Sequence, residues 1–190
     1  MDLSSQVEVV ESQIRECYGR VVWTHKTHEK CADILNKRHG RIKFWQILLS
    51  ALITTGILVA VFGESQLIGL LSALLSFLLT VLNTYTKQYD LGGIAQKHAE
   101  AALSIWNVRE NYLSLLTDIK SGSVSIDEIM HKRQELQNDL YEIYKGAPRT
   151  ISKGYDDATK GLKNNEELTF SDAEIDLLLP RSLRKAEQYL

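Results

Sequence analysis

The chain has 190 residues, 22 Lys and Arg against 24 Asp and Glu, a formal net charge of −2 and a pI near 6.2. That balance argues against a nucleic-acid surface, which is usually strongly basic. Two prolines and 8% aromatic residues argue against a turn-rich sandwich or barrel. The mean hydropathy of −0.16 conceals a concentration: residues 44–63 carry no charge, Glu64 follows, and residues 65–86 again carry none.

The first segment, residues 1–43, has heptad spacing. Val7, Val10, Ile14, Cys17, Val21, Thr24, His28, Cys31 and Leu35 alternate steps of three and four. No proline interrupts it, so one helix is expected from about Ser4 into the apolar block, with Gly19 and Gly40 as weak points. Its last turns carry the basic cluster Lys37, Arg38, Arg41 and Lys43.

Residues 44–86 read as two spans. At about 1.5 Å per residue each uncharged run reaches roughly 30 Å, the thickness of bilayer hydrocarbon. Each gains roughly 3–6 kcal/mol on insertion, less the cost of its polar residues. A buried hairpin of a soluble bundle would carry Lys or Glu on its outward face, and none occurs. A secretory signal is excluded by the helix-prone residues ahead of the first span and by the lack of a cleavage site. Gly63-Glu64-Ser65-Gln66 leaves only a short turn, so the spans are antiparallel neighbours. Lys37, Arg38, Arg41 and Lys43 on one flank, with Lys87 and Lys97 on the other, place both termini in the cytoplasm by the positive-inside rule. Phe44, Trp45 and Tyr85 mark the boundary. Almost nothing is left to face the far side, which argues against a receptor for an external ligand.

Residues 87–147 continue as helices outside the bilayer. Leu91, Ile94, His98, Ala101, Ile105, Val108, Tyr112, Leu115 and Ile119 repeat the seam, with a kink or break expected at Gly92-Gly93. A two-helix stalk buries little, so further helices must join it, from this chain or from copies. Ser125-Ile126-Asp127-Glu128 is a capping box opening a helix with Ile126, Ile129, Arg133, Leu136, Leu140 and Ile143, ended by Gly146 before Pro148. Residues 148–190 form a polar tail with a short helix around Tyr155–Leu162. A second capping box at Ser171-Asp172-Ala173-Glu174 opens a turn of helix that Pro180 ends. The basic close, PRSLRKAEQYL, suits docking on another protein more than a core.

Catalytic motifs are missing. No phosphate loop, GxGxxG, GxSxG, HExxH or paired CxxC occurs, so an enzyme is not expected and no cofactor is implied. Two distant cysteines on a cytoplasmic helix read as reduced thiols in the seam. His25, His28 and Cys31 have helical spacing compatible with a metal, although packing explains them as well, and no metal is expected. Asp156-Asp157 and Glu166-Glu167 read as exposed acidic pairs on solvated surface.

Polar residues inside the spans carry more information. Gln46, Ser50 and Thr54 share one face of the first span; Gly69, Ser72, Ala73, Ser76, Thr80 and Asn83 form a stripe on the second. They serve helix packing, where small residues let backbones approach, or they line a wet path, which demands several copies. In the stalk, folding the hairpin about Glu64 brings His28 level with His98 and Trp23 level with Trp106. Ile14, Val21, His28, Cys31, His98 and Ile105 are thus the expected stalk seam. The two histidines fix register as neutral imidazoles, charge together in acid and loosen the stalk, or hold a metal with Cys31.

The layout KRHGRIKFW, a two-span hairpin, a Gly-Gly exit with a long amphipathic helix, then GAPRTISKGYDDA and LTFSDAEIDLLLPRSLR resembles the SLATT family. These are two-transmembrane effector domains found beside bacterial nucleotide-sensing and nucleotide-synthesising defence genes. The DAEIDLLLP element is similar to the subgroup linked to reverse-transcriptase-type polymerases. The resemblance implies an anti-phage effector that oligomerises in the inner membrane to form or gate a pore and collapses the ion gradient. Its implied partners are lipid, further copies of itself, and a sensor, nucleotide-signal synthase or polymerase encoded alongside; direct nucleic-acid binding is not implied. The rival reading is a membrane-anchored scaffold that recruits a cytoplasmic enzyme and conducts nothing. The expected fold is all-α: an antiparallel two-transmembrane hairpin extended into long cytoplasmic helices, with a C-terminal helical region.

Overall fold

The computed structural model describes residues 3–63 and 65–185; Glu64 of the expected turn and the last five residues of the basic tail lie outside them. Among the described residues there are only helices: α1 (Leu3–Phe62), α2 (Gln66–Gln88), α3 (Leu91–Ser121), α4 (Ile126–Gly146), α5 (Ser152–Lys163) and α6 (Asp172–Leu178), then a single 3-10 turn at Arg181–Leu183. The 60 residues of α1 run unbroken for roughly 90 Å, through stalk and first span alike. Neither Gly19 nor Gly40 interrupts it. Their backbone N–H and C=O groups still bond along the helix, and a single glycine costs only about 1 kcal/mol there.

The chain turns back after Phe62, and α2 returns along the outer part of α1. The break on leaving the membrane falls at Tyr89-Asp90, just ahead of the two glycines. Asp90 caps α3 by accepting from the Gly93 N–H at 2.9 Å. Both glycines are packed against something: a Cβ at Gly93 would overlap the Asp90 carboxylate, and one at Gly92 would come within 3.2 Å of the His39 ring. The glycines therefore admit the cap and the close approach of α1, rather than marking the hinge itself.

Away from the spans, α1 and α3 pack side by side as an antiparallel stalk. Ile14, Cys17 and Val21 of α1 meet Ile105, Val108, Tyr112 and Leu115 of α3 in one core. The chain itself supplies further helices to cover it. Gly122, at φ 69°, turns the backbone through a left-handed conformation that a side chain would strain. Ser125 and Glu128 then form the capping box reciprocally, and α4 adds Ile129 and Leu136 to the core. Arg133, expected in the apolar stripe of α4, instead donates to Gln13 of α1 at 2.8 Å. The second capping box, at Ser171 and Glu174, is also formed. Helix α5 lies against α1, with Gly154, Ala158 and Gly161 forming its buried face.

The spans are packed differently. Each has an 18-residue window of mean hydropathy 2.0, of which 0% is buried in the first and 6% in the second. Leu52, Ile57, Leu70, Leu74, Phe77 and Val81 are all half or more exposed, or close to it. A soluble protein rarely exposes an apolar patch beyond a few hundred Å², so this surface belongs in lipid or against other spans. The protein is a membrane protein.

Candidate functional site

Two polar sets lie in this frame, one between the spans and one across the stalk. Between the spans, Gln46 donates to Asn83 Oδ1 at 2.8 Å and to Thr86 Oγ1 at 3.1 Å. Deeper in, Ser72 is buried, its hydroxyl bonded to Ile68 O at 2.9 Å. Gly56 is its counterpart on α1: any side chain there would collide with the Ser72 hydroxyl. Gly69 sits against Ala60 in the same way, 3.5 Å from a built Cβ to the alanine methyl. These contacts bring Gln46, Gly69, Ser72 and Asn83 into the packing of one hairpin. Ser50, Thr54 and Thr80 instead bond to carbonyls one turn back on their own helices. Together with Ser76 they are exposed on the hairpin surface. Gly56 was missed in the sequence, although small residues at facing positions of two spans are the signal that would have found it. Lys37, Arg38, Arg41 and Lys43 form an exposed basic collar on α1 just before the span.

The stalk set is centred on His28 and His98. Their Nδ1 atoms lie 3.0 Å apart, with ring centroids 5.0 Å apart, in a site where both residues are almost fully buried. One ring donates and the other accepts, so the accepting ring is neutral and the two cannot both be protonated. Burial, reinforced by the neighbouring His98 and His25, pushes His28 down to about 4, and burial lowers His98 too. Trp23 does not meet Trp106. Its ring packs on Tyr155 of α5 with centroids 5.9 Å apart, and Trp106 lies on a separate groove of the stalk.

One turn on, Cys31 faces away from the histidines toward α5. Its sulfur accepts the Ile151 N–H at 3.5 Å and packs against Gly154. Burial raises its thiol pKa, with that N–H bond pulling the other way. Among the described residues no three His, Cys, Asp or Glu side chains converge in a way that would hold a metal. Ile14, Val21 and Ile105, the other seam residues, fill the apolar core of the stalk.

The pair Glu166-Glu167 corrects the sequence reading. Glu167 is not solvated surface: its carboxylate lies 2.8 Å from Lys26 Nζ and 3.0 Å from Lys30 Nζ. Burial alone would lower the Lys26 ammonium, but its bonds to Glu167 and Glu29 outweigh that and hold it above its ordinary value. Those same lysines hold the Glu167 carboxyl down at about 2. Glu166 and Leu168, on either side, have positive φ of 51° and 75°, a backbone state uncommon for non-glycine residues. The ion pairs strap the chain after α5 onto α1 and hold it through that bend.

The histidine pair makes the stalk acid-sensitive. Unfolded, His28 titrates near 6.5; folded, it resists protonation until about pH 4. As pH falls through that window the unfolded chain takes up a proton that the folded one refuses. Stability therefore stays level above about pH 6.5 and drops as pH falls toward 4, by about 3 kcal/mol at most. Denaturant unfolding at pH 7.5, 6 and 5 should show the loss in wild type. His28→Gln should show a shallower slope, and equal slopes would remove the pair as its source.

Residues 10–174 match the model of the SMODS and SLOG-associating 2TM effector domain family 4. No curated protein and no solved structure matches the chain.

Proposed function

The chain belongs to this family of two-transmembrane effector domains, and from that premise we propose that it is a bacterial anti-phage effector whose copies assemble in the inner membrane and form or gate a pore. Its termini and stalk lie in the cytoplasm, beside the basic collar Lys37, Arg38, Arg41 and Lys43. The observation that carries the proposal is the continuity of α1. One helix with no break links the histidine layer of the stalk to the far end of the first span. A rotation or shift of the stalk is therefore delivered to the membrane, without a flexible joint to absorb it. Two spans enclose no pore, so conduction requires several hairpins meeting through the apolar and hydroxyl surface each leaves open. When the pore opens, the ion gradient collapses and the infected cell is killed or arrested. The signal comes from a protein encoded alongside: a sensor, a nucleotide-signal synthase or a reverse-transcriptase-type polymerase.

The test is a membrane-potential dye in expressing bacteria, with and without phage or the neighbouring gene. Depolarisation on activation is expected. Ser76→Leu should lower leakage several-fold by filling or dewetting the path, while Ser76→Ala keeps close packing and conducts. Equal leakage from both variants and wild type would place the path away from Ser76, and no depolarisation at all would overturn the proposal.

The rival is a non-conducting anchor that recruits a cytoplasmic enzyme. It is favoured by one observation: α6 presents Leu177 and Leu178 at 77% and 79% exposure, with Phe170 and Leu183 also uncovered. An anchor predicts partner capture without depolarisation.

A further inference from the structure

A second feature of the stalk has no part in the proposal above. Where α4 ends and the chain crosses to α5, a cavity of about 770 Å³ opens on the side of α1. Its wall is aromatic and cationic: Trp23, Tyr144 and Tyr155 with Arg20 and Arg149, and His28 at its inner edge. Among the described residues no Asp or Glu lines it, although the chain as a whole is slightly acidic.

The cations are available. Arg149 makes no hydrogen bond or ion pair among the described residues. Arg20 forms an ion pair with Glu16, in a bridge whose side chains are 66% and 70% exposed, and a long contact of 4.0 Å to Cys17 Sγ; such pairs contribute little. A third cation, Lys163 Nζ, stands 5.3 Å from the centroid of the Trp23 ring. The Trp23 indole N–H is itself buried with no hydrogen-bond partner, a state that usually carries a cost. Aromatic faces stack planar rings, and guanidinium forks bind oxyanions in two-point geometry.

We propose that this cavity binds a small organic anion carrying a planar ring, the chemistry shared by nucleoside monophosphates and aromatic sulfonates. The ring stacks among Trp23, Tyr144 and Tyr155, and the oxyanion lies between Arg20 and Arg149. Such a ligand ties the end of α4 and the start of α5 to α1. It also touches the outer face of His28, whose inner nitrogen is held by His98 of α3. Occupancy thereby reaches all four stalk helices, and the site does not depend on whether the spans conduct.

The experiment is equilibrium binding to the full chain in detergent, using AMP, UMP and 1,5-naphthalenedisulfonate as ring-bearing anions. Adenosine supplies a ring without the anion, and inorganic phosphate the anion without a ring. At least one ring-bearing anion should bind about tenfold more tightly than adenosine or phosphate. If AMP or UMP alone does so, the source is a nucleotide; if the disulfonate does, the site takes aromatic anions generally. Arg149→Gln should weaken that binding by about tenfold, and Arg38→Gln, an equal charge change on the collar, should leave it unchanged. Arg149 is exposed on the connection, so its variant tests the site without disturbing a core. Tyr144→Leu gives a second reading from the aromatic side and should also weaken binding. No preference for ring-bearing anions, or equal affinity in Arg149→Gln and wild type, would overturn the proposal.

Discussion

Changing Ile14 and Val21 together to Glu should unfold the stalk while leaving the hairpin able to insert. The two side chains are 0% and 1% exposed and lie in one core with Ile105, Val108, Tyr112 and Ile129. A buried charge without a partner costs several kcal/mol, and the side chains packed together in this core are all uncharged. Two such charges, about two turns apart on α1, should exceed what a stalk of this size can lose. In detergent, helical circular dichroism should fall and protease should enter residues 3–35 and 95–143, with residues 44–86 protected. Retention of a protease-resistant stalk would mean that this core contributes little. Since α4 of the same chain covers the seam, these positions report on the fold of one chain. An assembly surface is better sought on faces that stay open, such as Leu103, Trp106 and Leu113 of α3, which are 68%, 43% and 45% exposed.

Replacing Gly154 with Leu should detach α5 from α1. A Cβ at that position would overlap the Cys31 sulfur and come within 3.4 Å of both Cys31 N and Thr27 O. The backbone atoms cannot give way, because both belong to the middle of α1. Overpacking of this kind costs about 1–3 kcal/mol, and more when backbone opposes it. Once α5 lifts, the Ile151 N–H bond to Cys31 and the Trp23–Tyr155 contact are lost with it. Cys31, 0% exposed in the folded chain, should become reactive. In a Cys17→Ser background, maleimide labelling of Cys31 should rise by an order of magnitude or more, tracking the opening equilibrium. Gly154→Ala should lie between wild type and Gly154→Leu. Unchanged labelling in the leucine variant would mean that α5 does not cover this thiol.

Much of the architecture depends on local or solvent-determined properties, and these are legible along the chain. An uncharged run of helical residues must leave water, whatever surrounds it. The two spans and their short connection follow from residues 44–86 alone. Heptad spacing likewise marks Ile14, Val21, Ile105 and Tyr112 as inward-facing before any partner is known, since a helix turns at a fixed rate. The capping boxes at Ser125 and Ser171 each close within four residues. The pairing of His28 with His98 also follows, because a short turn sets the register of the two antiparallel arms and the two-residue break at Tyr89-Asp90 shifts it little.

What only the tertiary structure decided involves groups brought together by irregular segments. Glu167 reaches Lys30 across a sequence separation of 137, and its route passes through the connection after α4 and the bend at Glu166 and Leu168. No periodicity encodes such a path. Arg149 comes near Arg20, and Gly154 near Cys31, for the same reason. The break at Tyr89-Asp90 rather than at the glycines was decided by a competition that composition cannot rank: the Asp90 carboxylate caps the third N–H of α3, and the space this needs at Gly93 is what the missing side chain provides. Whether α4 and α5 would cover the seam was likewise undetermined by their sequences. An amphipathic face states that something must cover it, and only the packed chain, with its limited connection lengths, selects what does.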